Sequence, residues 1–189
     1  MLWDDLLNSL HRDWRGDGAI DDRLDNPDWL HRWLTSQNLN MDRPPEPAEL
    51  QELKELRALL HRIVTQFVSK AMPHEADTEA LNAIMAGGPV IRKLVSDEGR
   101  YRLEWYGLNR RWEQVLADIA ASMAQSIANG ETSRIRICDN PNCLWVYVDE
   151  TRNRSKRYCD DKMCGNLMKV RRFRARQKAA ADAPKHDHE

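Results

Sequence analysis

The sequence predicts a mainly α (α+β) fold: a helical N-terminal domain with one β-hairpin, then a small cysteine-built C-terminal module that ends in a basic helix. Three observations predict it. Apolar residues recur at three- and four-residue steps over two long stretches, 48–72 and 110–129. Between those stretches the period shifts to two, over residues 90–105. All four cysteines then fall between Cys138 and Cys164, directly ahead of a run of lysines and arginines. A chain of 189 residues that is 41% hydrophobic is long enough for one compact domain with a small appendage. No run approaches the ~20 apolar residues of a membrane span.

Taken in order, Trp3, Leu6, Leu7 and Leu10 make a helical stripe over Leu2 to Leu10, in which Asn8 is an unassigned polar interruption. Arg15 to Asp25 reads as a polar loop, too hydrophilic for core. Asn26-Pro27-Asp28 is a helix start, with an N-cap asparagine, proline in the first turn and an early carboxylate. The helix that follows is expected to bury Trp29, Leu30, Trp33 and Leu34, and proline-rich Met41 to Pro47 to connect it onward. From Ala48 to Met72 a long amphipathic helix is expected, with Leu53, Leu56, Leu60, Ile63, Phe67 and Ala71 inward and Pro73 as its stop. A short helix over about Asp77 to Met85 follows, before Gly87-Gly88-Pro89.

Val90 to Val95 and Tyr101 to Trp105 read as a hairpin in which Tyr101, Leu103 and Trp105 form one buried face. A second strong helix, Arg110 to Asn129, is expected to bury Trp112, Val115, Leu116, Ile119, Met123 and Ile127, with Gly130 as its C-terminal stop. These readings divide the chain into a helical domain over 1–132, a cysteine module over 133–178 and a flexible tail over 179–189. Trp29, Trp33, Trp105 and Trp112 are read as core before they are read as a pocket lining, since aromatics dominate burial in a domain of this size.

Cys138, Cys143, Cys159 and Cys164 form two C-x4-C pairs with fifteen residues between them. Each pair offers two sulfurs from one knuckle, and four soft thiolates suit tetrahedral Zn²⁺ over Mg²⁺ or Ca²⁺. Asp139-Asn140-Pro141-Asn142 supplies turn chemistry within the first knuckle. Two disulfides are the weaker reading, because the acidic N-terminus MLWDDLLNSL does not look like an export signal and the protein is expected to be cytoplasmic. Iron–sulfur motifs space their cysteines differently. Four protein ligands leave no open position, so the expected ion is single and structural.

Residues 133–178 carry thirteen lysines and arginines against five acidic residues, a net of +8 in a chain of net −1, which leaves −9 for the rest. Charge this segregated points to a polyanion as partner. The candidate contacts are Arg152, Arg154, Lys156 and Arg157 between the knuckles, and Lys169, Arg171, Arg172, Arg174, Arg176 and Lys178 on the final helix. Leu167, Val170 and Phe173 or Arg174 are expected to seat that helix on the knuckles. Trp145 and Tyr147 are read as core before base-stacking residues.

The matches Cys138, Cys143, Leu144 to Asp149, Thr151-Arg152-Asn153, Arg157-Tyr158-Cys159 and Cys164-Gly165-Asn166 resemble the CGNR-type zinc finger, with Leu167 where that motif has arginine. The resemblance implies a treble-clef-like module. Leu6 to Leu10, Pro27 to Leu30, Trp33-Leu34 and the long leucine-rich helix are similar to the helical domain that precedes this finger, the putative stress-induced transcription regulator type. Together they imply a bacterial DNA-binding regulator whose N-terminal domain senses a ligand or partner; the sequence leaves the oligomeric state open, a dimer included. RNA binding, or a protein-interaction arm around a structural zinc, are the alternatives. The six histidines are scattered, and no phosphate-cradling glycine motif, H-E-x-x-H or deaminase motif occurs, so no catalysis is assigned.

Overall fold

The computed structural model describes residues 1–16, 18–39 and 41–181. Its elements are α1 (Leu2–Leu7), β1 (Leu10–Arg12), β2 (Ile20–Asp22), α2 (Pro27–Ser36), α3 (Pro47–Val68), α4 (Glu75–Ala86), β3 (Val90–Asp97), β4 (Arg100–Gly107), α5 (Trp112–Ala128), β5 (Ile135–Ile137), β6 (Val146–Val148) and α6 (Asn166–Ala181). The strands form three separate antiparallel hairpins, β1–β2, β3–β4 and β5–β6. The fold is mainly α, as the periodicity predicts.

The core forms where α1, α3 and α5 meet. Trp3, Leu6, Leu53, Leu56, Leu60, Ile63, Ile119 and Met123 are buried there, each large side chain contributing roughly 1.5–3 kcal/mol. Two tryptophans place polar tips inside this core and satisfy them: Trp3 Nε1 donates to Ser126 Oγ (3.1 Å) and Trp112 Nε1 to the Glu49 carbonyl (2.9 Å). Asn26 caps α2 as expected, its side chain accepting from Trp29 N at 3.1 Å. Gly130, at φ 73°, ends α5.

Four expectations are corrected. The first helix stops at Leu7, because Ser9 and Leu10 turn the chain into β1. The supposed polar loop supplies β2 and a 3₁₀ turn over Arg23–Asp25 that buries Leu24, so the N-terminal region has two hairpins rather than one. α3 ends at Val68, five residues before Pro73: Lys70 takes a left-handed φ of 63°, and Ala71 N returns to the Gln66 carbonyl at 2.8 Å. This is a Schellman stop made with lysine, and it leaves Ala71 outside the helix. Finally, β3–β4 is not half-buried. Tyr101, Leu103 and Trp105 are all exposed, since no other described element covers that stretch of the face.

The expected tail is helical as far as Ala181; its remainder lies outside the described residues.

Candidate metal centre

The four cysteines converge. β5 and β6 pair Ile135 with Val148 and Ile137 with Val146, so the first knuckle sits at the tip of a hairpin. Its base is closed by Cys138 N donating to the Trp145 carbonyl at 2.8 Å. Cys143 N donates to the Asn140 carbonyl (2.9 Å), and Leu144 exits the knuckle at φ 55°, a left-handed conformation that glycine would adopt without strain. The second knuckle is built differently. Asp160 accepts from Met163 N (2.7 Å) at the start of a π-type turn, Asp161–Gly165, which delivers Cys164 and runs directly into α6.

All four sulfurs lie within 4.8 Å of one another. Cys143 to Cys159 is 3.7 Å and Cys159 to Cys164 is 3.9 Å. A zinc ion with Zn–S bonds of about 2.3 Å requires sulfurs about 3.8 Å apart, so the donor set fits. The same distances are far beyond a disulfide bond. Ionisation supports this fit: hydrogen bonds from the Cys143 and Cys159 thiols draw Cys138 down to about 2. Donating that bond pushes Cys143 up to about 12, and Cys159 is pushed up as well. Sulfurs this crowded resist carrying several negative charges together, and a bound dication supplies the balancing charge. The module holds one structural Zn²⁺.

Around the sulfurs is a small shell of polar contacts. Asn140 is fully buried, and its Nδ2 donates both to Cys164 Sγ (3.3 Å) and to the Trp14 carbonyl (2.9 Å). Tyr147 is buried and donates to the Lys156 carbonyl at 2.8 Å, a core role rather than a base-stacking one. Asp149 is also buried. Burial alone would raise its pKa, but hydrogen bonds from Thr151 and from Lys156 N outweigh it and hold the carboxyl below the usual range. The polar interruption Asn8 now has a role: Nδ2 donates to the Val146 carbonyl and Oδ1 accepts from Val146 N, both at 2.9 Å. Its amide stands in for a neighbouring strand along the outer edge of β6. The sequence signal for Asn8 is a polar residue in an apolar stripe and for Asn140 an asparagine in a turn, while Tyr147 is expected in the core and Asp149 lies within the finger motif.

The basic residues divide into two groups. Arg157 donates to Asp139 Oδ2 at 2.7 Å, Lys156 lies over the Tyr147 ring, Arg154 reaches Ser133 Oγ (3.0 Å), and Arg171 donates to the Arg15 carbonyl (2.6 Å). Arg152, Lys169, Arg172, Arg174, Arg176 and Lys178 are exposed, Arg172 Nε also donating to the Met168 carbonyl at 3.2 Å. Seating of α6 differs from expectation: Leu167 and Met168 are half-buried and Met168 packs at the cysteine cluster, whereas Val170 and Phe173 are exposed. The π-type turn sets the phase. At ~100° per residue, Leu167, Met168 and Arg171 turn inward, which leaves Lys169, Arg172, Phe173 and Arg176 outward.

A separate cavity of about 560 Å³ lies between α2 and the start of α3, with Leu24, Leu30, Leu34, Leu39 and Leu50 on its walls and Asp25, Asp28 and Asp42 among its polar lining.

A helical body carrying a docked four-cysteine zinc module defines the class: a zinc-finger protein. Residues 134–177 match the CGNR zinc finger. The chain belongs to the ABATE family, described as "putative stress-induced transcription regulator", whose model matches residues 2–130. No curated protein matches the chain. Both families are regulator or zinc-finger types rather than enzymes, and the protein is a zinc-containing member of them. No described helix is long and apolar enough to cross a membrane.

Proposed function

We propose that this protein is a zinc-dependent, DNA-binding transcription regulator of the cytoplasm, in which α6 contacts DNA and the region 1–132 senses a ligand or partner. One observation carries the reading. The outward face of α6 presents Lys169, Arg172 and Arg176 to solvent, with no acidic partner among the described residues, on a helix anchored at its start by the zinc site. At about 24 Å that helix is long enough to lie along a groove. Zinc acts by fixing the knuckles and therefore the helix; the ion itself touches no nucleic acid. Arg174, Lys178 and Arg152 add to the positive field, whereas Arg157 and Arg171 are spent on intramolecular bonds.

The cavity beside α2 supports the sensing part. Leucine walls with His31, Arg43 and three aspartates in the lining suit a mainly apolar molecule with a few polar groups.

Titration of duplex DNA across a salt series tests the reading. The zinc-loaded protein is expected to bind with a steep salt dependence, and Arg172→Ala to lower affinity for all sequences while flattening the slope by about one unit. Absence of DNA retention at low salt, with zinc bound, overturns it.

A further inference from the structure

Beyond its Gly107 end, where Gln114 of α5 packs, the β3–β4 hairpin has one face that no other described element covers. The register pairs Val90 with Gly107, Arg92 with Trp105, Leu94 with Leu103 and Ser96 with Tyr101, and since paired side chains share a side, these residues form one face. Its apolar members are exposed: Val90 44%, Leu94 70%, Tyr101 73%, Leu103 56% and Trp105 56%. The opposite face is mixed: it exposes Ile91 (48%) and Tyr106 (44%) but breaks them up with charges. Arg102 pairs there with Glu104 and with Asp97, and Lys93 lies over Tyr106. The ribbon is also held firmly at its root. A side chain at Gly88 would stand 2.3 Å from Ala117 Cβ, and one at Gly107 2.7 Å from Gln114 Cδ, so both strands close tightly onto α5.

We propose that this face is a homodimer interface, covered by the same face of a second copy. The argument is self-complementarity. A two-fold axis crossing the strands at the Leu94–Leu103 row stacks leucine on leucine. It sets Trp105 against Tyr101 of the second copy, and Arg92 against its Ser96. Arg92 is the face's single charge and lies off the axis, so like charges never meet. Two aromatics and three aliphatics at these exposures offer on the order of 600 Å² per copy, which doubles to about the lower end of specific interfaces. Pairing of strand edges instead would leave both tryptophans and both tyrosines in water, so the faces stack rather than the edges joining. An interface of this size gives a dimer that dissociates on dilution.

Sedimentation velocity on the full-length, zinc-loaded protein, from low micromolar to submillimolar concentration, tests this. The expected result is a concentration-dependent monomer–dimer equilibrium. Leu94→Glu brings two carboxylates together near the axis and is expected to weaken it by roughly 100-fold or more. Because Leu94 is exposed, the melting temperature of that variant should match the parent at a dilution where the parent is monomeric, which separates lost association from lost folding. Lys93→Glu, on the opposite face, should dimerise as the parent does. A parent that stays monomeric throughout overturns the proposal. So does a Leu94→Glu protein that dimerises normally, which would place the contact on the strand edges or elsewhere, and so does equal loss in Lys93→Glu.

Discussion

The helical body and the zinc module reach stability by opposite routes. In the body, leucines from α1, α3 and α5 meet over a wide apolar volume, and no single contact is indispensable. The module has a cluster of Cys138, Tyr147, Tyr158 and Cys164, with a few half-buried neighbours, and depends on four sulfurs and a handful of hydrogen bonds donated by buried Asn140 and accepted by buried Asp149. A small unit that cannot bury enough apolar surface substitutes metal and directed polar contacts for volume. Yet the two are not independent. Ile135 and Val146 of the β5–β6 hairpin belong to the body's core, Asn8 completes the edge of β6, and His11 meets Trp145 edge-on. One face of the hairpin carrying the first knuckle is thus held by leucines, and its tip by metal.

The largest effect should come from removing the metal. Cys138→Ser, or chelation of the parent, is expected to abolish stoichiometric zinc and unfold the knuckles, because binding of a structural zinc contributes about 10 kcal/mol or more. Circular dichroism should retain most of the helical signal while the melting temperature of the body falls, since Ile135 and Val146 lose their fixed position. An unchanged body melting temperature would show that the shared core matters less than its burial implies.

Asn8→Ala addresses the seam itself. It strands the N–H and carbonyl of Val146, and about 2–3 kcal/mol of stability should be lost in urea denaturation. Zinc affinity should fall with it, and that readout distinguishes a coupled seam from a local defect in α1.

A smaller effect is expected for a polar tie that lies wholly within the body. Asp22 accepts two hydrogen bonds from Arg57 (2.6 and 2.7 Å), and Arg57 also donates to Ser9. Burial works to raise the Asp22 pKa, but Arg57, Leu24 N and Lys54 together lower it. Its stabilisation is therefore complete above the unfolded value near ~4 and is lost as pH falls through the lower folded value. Asp22→Asn should cost about 1–2 kcal/mol at neutral pH, and the gap to the parent should close as pH drops below about 4. A gap that stays constant with pH would mean that packing, not charge, is what the aspartate supplies.

Much of this was legible in the chain. The four cysteines declare their geometry because two ligands separated by four residues already make a knuckle. Asn26-Pro27 and Gly130 mark helix ends by local backbone chemistry. The leucine stripe of α3 specifies its buried side, because a helix repeats its own face. Local rules erred where an unexpected residue type played a familiar part, as when Lys70 ended α3 before the proline could.

Other features depended on which distant surface arrived. Alternation along β3–β4 marks an apolar face, but no other described element covers that stretch of it, so Trp105 stands in solvent. Spacing along α6 groups Leu167, Val170 and Phe173, yet the turn at Asp161–Gly165 sets the rotation that half-buries Leu167 and Met168 and exposes Val170 and Phe173. Asn8 looks like a flaw in a helix until Val146 meets it from 138 positions away. The sequence by itself determined the helices, the metal and the charge. Only the tertiary structure decided which faces are covered, because burial belongs to pairs of surfaces and a periodic pattern describes just one of them.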